Sequence, residues 1–155
     1  MNVFLLSAKD TMNHLLLKET FDQFSFIEGE ITTFNRCTID GFLQKEFFDQ
    51  PPEHQYSLWR DVRGYCLELI RGKRTPLEFK IVLSLAPDQF SAFLNDHQLN
   101  SFRPEEIQGL YLNFQYDGTS LQCVTGISLH SFSLDKSLER QWDEYAEELL
   151  KEWKM

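Results

Sequence analysis

The segment GLYLNFQYDGTSLQCVTGISL, residues 109–129, constrains the fold more than any other stretch of the chain. Apolar and polar residues alternate on both sides of Asp117-Gly118, the period that a strand with one buried face demands. Asp-Gly supplies the positive-φ pair of a tight type I′ turn, so the segment predicts a β-hairpin. In that register Phe114 faces Leu121 and Leu112 faces Cys123 toward the core. Asn113 then faces Gln122, and Gln115 faces Ser120, on the other side.

A second alternating region spans residues 25–48 about Asp40-Gly41 and predicts another hairpin, with Ile39 opposite Phe42. That register also sets Arg36 opposite Lys45, a mildly unfavourable like-charge pair that a bulge would relieve. Residues 2–6 read as a short buried strand. Ser7, with Asp10 three residues on, is a helix N-cap that opens a helix through Phe21, with Met12, Leu15 and Leu16, and more loosely Leu17 and Phe21, on its apolar stripe. Ser57 is the expected cap of a helix from Leu58 to Arg71, with Leu58, Trp59, Val62, Cys66, Leu69 and Ile70 on one face. Gly72 ends that helix. Pro76 then opens a strand in which Phe79, Ile81, Leu83 and Leu85 point inward. Pro87 is well placed as the first residue of a short helix bearing Phe90, Phe93 and Leu94. The last helix starts between Ser133 and Asp135. It carries Leu138, Trp142, Tyr145, Leu149 and Trp153 on its apolar side, with Asp143, Glu144, Glu147 and Glu148 outward.

The elements run β-α-β-β-α twice, with FLLSAKD opening one copy and VLSLAPD the other. The fold class is therefore α+β: one domain over residues 1–155 with a mixed, mainly antiparallel sheet, or two sheets, and amphipathic helices. An internal βαββα duplication of residues 1–72 and 76–155 is the corresponding expectation. Apolar residues make up 42% of the chain and include 14 phenylalanines, ample for one core.

Twenty-four acidic against 15 basic residues give a net charge of −9, which disfavours a nucleic-acid partner. No signal peptide or membrane span is evident. Cys37, Cys66 and Cys123 are an odd, widely spaced set with no C-x-x-C pair. They read as buried free thiols in a reducing compartment, which places the protein in the cytoplasm.

The stretches ITTFNRCTIDGFLQKEF, GKRTPLEFK, GLYLNFQYDG and LQCVTGISLHSFSLDKSLERQWD resemble a family of uncharacterised proteins of Gram-positive anaerobes, a domain of unknown function. The resemblance covers residues 1–145 and implies one standalone domain; it brings no activity and no catalytic residue. The βαββ pattern is also similar to the half-domains of sliding clamps, which would make the protein a DNA accessory. It departs from them in lacking a basic first helix.

The stretch IRGKRTPLEFK, residues 70–80, is the candidate site. Arg71, Lys73 and Arg74, with Lys80 more loosely, could hold a phosphate. Arg60 and Arg63 would join them if the helix brought them near. The simpler reading is cations complementing a helix C-terminus before a solvated connector. GKRT is no P-loop, because Arg74 interrupts the motif and the order is helix then strand. His14, His54, His97 and His130 lack metal-ligand spacing. His130, beside Ser128 and Ser131, is the one histidine placed to act as a base, without a nucleophile elbow to accompany it. Trp59 and Trp142 read as core; Trp153 reads as exposed. No catalytic residue, metal or cofactor is assigned. The expected function is a non-enzymatic binding or scaffold domain that engages a protein partner, or itself, through apolar grooves or the final helix. The alternative is a binder or enzyme for a small phosphate-bearing ligand, using Arg60, Arg63, Arg71, Lys73 and Arg74.

Overall fold

Alternation produces seven strands that join in one sheet. In the computed structural model, which describes residues 1–155, these are β1 (Val3–Leu6), β2 (Ser25–Thr32), β3 (Arg36–Asp40), β4 (Ser57–Leu58), β5 (Glu78–Ser84), β6 (Ile107–Tyr116) and β7 (Leu121–Leu129). Their order is β1-β7-β6-β5-β2-β3, with β4 also on β2, and every pairing is antiparallel. The helices are α1 (Ala8–Met12), α2 (Trp59–Ile70), α3 (Phe90–Asp96) and α4 (Ser137–Leu150). The chain is thus α+β.

One face of the sheet supplies Phe26, Ile31, Phe79, Ile81, Leu83, Leu112, Phe114, Leu121 and Cys123 to a single buried cluster. Trp59, Val62, Cys66 and Ile70 of α2, Phe93 and Leu94 of α3, and Leu138, Trp142, Ala146 and Leu150 of α4 close that cluster from the helical side. The opposite face carries Glu30, Lys80, Asn113, Gln115 and Gln122, as befits an antiparallel sheet wetted on one side.

The long hairpin keeps its expected faces but not its register. Tyr116 pairs with Leu121, Phe114 with Cys123 and Gln115 with Gln122, two residues from the tight-turn expectation. Asp117 holds a four-residue loop instead: its carboxylate accepts the N–H groups of Thr119 (2.9 Å) and Ser120 (2.8 Å), and Gly118 takes φ +96°. A slip of two leaves every side chain on its own face.

The first hairpin turns elsewhere. Thr32 pairs with Arg36, so the turn is Thr33–Asn35, and Asp40-Gly41 ends β3. Gly41 is needed there for contact rather than for a turn, because a Cβ would lie 1.9 Å from the Phe26 carbonyl oxygen. The Arg36–Lys45 pair accordingly does not form; Arg36 meets Glu78 at 3.2 Å and Glu30 at 3.5 Å.

Other boundaries shift for local reasons. Ser7 caps α1 as expected, its Oγ accepting the Asp10 N–H at 3.3 Å, but helical structure stops at Leu17 instead of Phe21. Ser57 caps nothing: it lies in β4 and donates to the Gly41 carbonyl at 2.9 Å, while Leu58 is the residue before the helix. Gly72 takes no left-handed conformation, and α2 stops at an extended Arg71. α4 begins later than expected, where the Asp135 carboxylate accepts the Ser137 N–H at 2.9 Å. Trp153 is buried rather than exposed, and Cys37 is only half-buried.

The βαββα element order recurs in the two halves, with β4 as an extra bridge, but the pairing does not. β5 pairs β6 within its half, whereas β1 pairs β7 rather than β2. The outer edge of β1 is taken up by the C-terminal residues. Ser7 donates to the Trp153 carbonyl at 2.6 Å, and Met155 donates to that of Leu5 at 3.0 Å. β3 closes the other side of the sheet with no strand beyond it.

Candidate functional site

Past Met12, α1 widens into a π turn over Asn13–Leu17, where the Lys18 N–H reaches back five residues to the Asn13 carbonyl at 3.0 Å. Widening and then ending a helix leaves carbonyls without helical donors. Two side chains one turn apart on α2 supply them. Trp59 Nε1 donates to the Leu15 carbonyl at 2.7 Å, and Arg63 Nη1 donates to that of Leu16 at 3.4 Å. Arg63 also grips Asp22 with both sides of its fork, at 2.9 and 3.1 Å. These contacts bolt the π turn to the first half of α2.

Toward the second half of α2 the two walls enclose a groove of about 640 Å3. Its apolar surface comes from Met12, Leu16 and Leu17 on one side and Leu67, Ile70 and Pro76 on the other. Its polar lining comprises Lys9, Arg71, Lys73 and Arg74 against one carboxylate, Asp10, with Asn13 and Thr75 between. Arg71 is engaged by Glu68 at 2.5 Å; Lys9, Lys73 and Arg74 make no ion pair. Three uncompensated cations beside an apolar floor are a local reversal of the chain's net charge of −9.

The five cations singled out in the sequence therefore divide. Arg71, Lys73 and Arg74 line the groove. Arg63 belongs to the clamp that shapes it, and Arg60 lies outside, its nearest carboxylate Asp61 at 3.9 Å. Lys80 projects from the open sheet face beside Glu28, 3.5 Å away. Lys9 and the π turn are the part that sequence reasoning missed. Their only signal was the apolar stripe of the first helix, some sixty residues from the basic stretch.

The remaining candidates take structural places. The amide of His130 donates to the Glu106 carbonyl, its side chain is exposed, and Ser128 bonds Gln108 instead of the histidine. His14 stacks on Trp153 with ring centroids 4.2 Å apart and meets Thr20 Oγ1 at 2.8 Å. Burial, and secondarily Lys18, hold its pKa below the ordinary value. Burial pushes the Cys66 thiol up to about 12 and raises that of Cys123 as well, which removes both as nucleophiles. Leu138, Trp142, Ala146 and Leu150 of the final helix are buried in the core, and Tyr145 and Leu149 pack against it half-buried.

No helix is long and apolar enough to cross a membrane. Comparison with curated proteins gives no match, and none of the solved structures matches, sliding clamps included. A family model does match, over residues 14–155, reaching further toward the C-terminus than the resemblance read from the sequence and taking in the π turn from His14 on, α2 and the basic connector. The chain belongs to that family, DUF5721, a family of unknown function.

Proposed function

We propose that the protein is a ligand-binding domain whose working surface is the groove between the π turn and the α2–β5 connector. Its ligand class is a small amphiphilic anion, with an apolar body and a phosphate or carboxylate head. The observation that carries this reading is the joining of an apolar floor to unpaired Lys9, Lys73 and Arg74 in a single hollow. Its size is within the usual range for small-molecule sites, about 300–1,000 Å3.

The test is thermal stability in the presence of dodecyl phosphate, with inorganic phosphate and dodecanol as half-ligands. At a hundred times its dissociation constant the whole ligand adds about 2.7 kcal/mol, or roughly 5–10 °C for a chain of this size. Lys73→Ala and Arg74→Ala should each reduce that shift. No shift from dodecyl phosphate at millimolar concentration, or an equal shift from inorganic phosphate alone, refutes the proposal. One observation favours a second reading: Leu17 of the groove lining and Leu77, next in sequence to the lining residue Pro76, are both exposed. An acidic amphipathic segment of a protein partner would use them, and would bind where the small amphiphile does not.

A further inference from the structure

The two sides of the sheet end differently, since the last residues of the chain close β1 while β3 has no outer neighbour. The hydrogen-bonding phase of β3 is fixed by its two ends. The Gly41 N–H donates to the Ile27 carbonyl, and the Thr33 N–H donates to that of Asn35. Ladder bonds alternate along an antiparallel pair, so Cys37 and Ile39 direct their backbone groups at β2. Arg36, Thr38 and Asp40 direct theirs away from the sheet.

The side chains on this edge have a symmetry of their own. From Phe34 to Phe42 the sequence is FNRCTIDGF, centred on Thr38. Reversing the chain about that centre exchanges Arg36 with Asp40, Cys37 with Ile39, and Phe34 with Phe42. Phe34 is 96% exposed at the tip of its turn and Phe42 is 39% exposed.

We propose that β3 is a self-complementary edge through which two copies of this chain join their sheets about a twofold axis at Thr38. In that register the outward N–H and C=O groups of all three residues find partners. The two Thr38 residues exchange a pair of bonds, and Arg36 of each copy exchanges bonds with Asp40 of the other. Opposite charges face one another at both ends, where like charges would disfavour pairing. Beyond them, Phe34 of each copy meets Phe42 of the second, which removes two exposed aromatic surfaces from water. A shift of two residues either way loses the charge match and part of the ladder. An isologous contact of this kind closes on itself as a dimer and does not propagate into a fibre. The arrangement is independent of the groove, which is built from α1, its π turn and the α2–β5 connector.

The experiment combines sedimentation of the full chain, up to millimolar concentration, with amide hydrogen exchange. A monomer–dimer equilibrium is expected. The amides of Arg36, Thr38 and Asp40 should become protected only as dimer forms, and those of Cys37 and Ile39 should be protected at every concentration. Phe34→Ser replaces a side chain the monomer leaves in solvent, and should weaken the dimer by more than about fivefold while the circular dichroism is unchanged. Thr38→Pro removes an N–H that β2 does not use, and should abolish the dimer. A chain that stays monomeric, or a dimer in which the amides of 36, 38 and 40 exchange as freely as in the monomer, overturns the proposal. So does a dimer whose affinity Phe34→Ser leaves unchanged.

Discussion

Replacing Arg63 by alanine separates the clamp from the cations that line the groove. The guanidinium and the Asp22 carboxylate are 22% and 13% exposed, joined by two bonds near 3 Å, with a third bond to the Leu16 carbonyl. Removing one partner of a fully buried ion pair costs about 3–5 kcal/mol, and a fully exposed pair contributes about 0–1 kcal/mol. This pair lies between, nearer the buried case, so Arg63→Ala should cost about 2 kcal/mol. For a chain of this length that lowers Tm by roughly 4–8 °C. Asp22→Ala should cost less, because Arg63 keeps its carbonyl and can turn its charge to water. The two substitutions together should then fall short of their sum by about 1 kcal/mol, as expected for residues in contact. Urea denaturation of the four proteins, followed by circular dichroism, measures all of these terms. A change below about 0.5 kcal/mol for Arg63→Ala, typical of a surface substitution, would refute the clamp. Strict additivity of the two substitutions would refute it as well.

Two glycines should respond in opposite directions to the same substitution. Gly41→Ala drives a Cβ into the Phe26 backbone and should cost at least about 2–3 kcal/mol. Gly64→Ala, inside α2 with nothing within 4 Å of the new methyl, should gain about 0.5–1 kcal/mol in the same denaturation assay. His14 gives a pH dependence. Its folded-state pKa is lowered, so the unfolded chain binds the proton more readily, and its contribution is intact above the ordinary value of 6.5 and lost as pH falls below it. Asp10 and Glu152 oppose the shift without cancelling it. The urea midpoint should therefore drop between about pH 7.5 and about pH 5 by more in the native chain than in His14→Gln; identical profiles would reject the assignment.

The faces of the strands were legible because a period of two is a strong local signal. The turns were not. At 117–120 the Asp117 carboxylate replaces a tight turn by a longer loop, yet Phe114 and Leu121 stay on the core side. At Asp40-Gly41 the same dipeptide serves a different need, the close approach of the Phe26 carbonyl, which no local pattern announces. Strand order was likewise hidden, since β1 pairs β7 across more than a hundred residues. Of the candidate site, Arg71, Lys73 and Arg74 could be found by charge alone. Arg63 could not be sorted from them, because its role depends on Asp22 and Leu16, more than forty residues earlier. Lys9 could not be added, because its place depends on how many residues the π turn contains.

That dependence has a consequence for the groove. A π turn accommodates one residue more than the α geometry on either side of it. Straightening the segment into a continuous α-helix with all of its residues kept would undo that accommodation. Everything before Asn13 would then rotate by about 100° and move by about 1.5 Å relative to Leu16 and Leu17. Lys9 would then swing out of the groove while Arg71, Lys73 and Arg74 stayed where they are. The electrostatic balance of the cleft is in this sense set by helix geometry: loss of one residue from the turn would restore α geometry in phase and leave Lys9 in the groove, whereas straightening at full length would remove it.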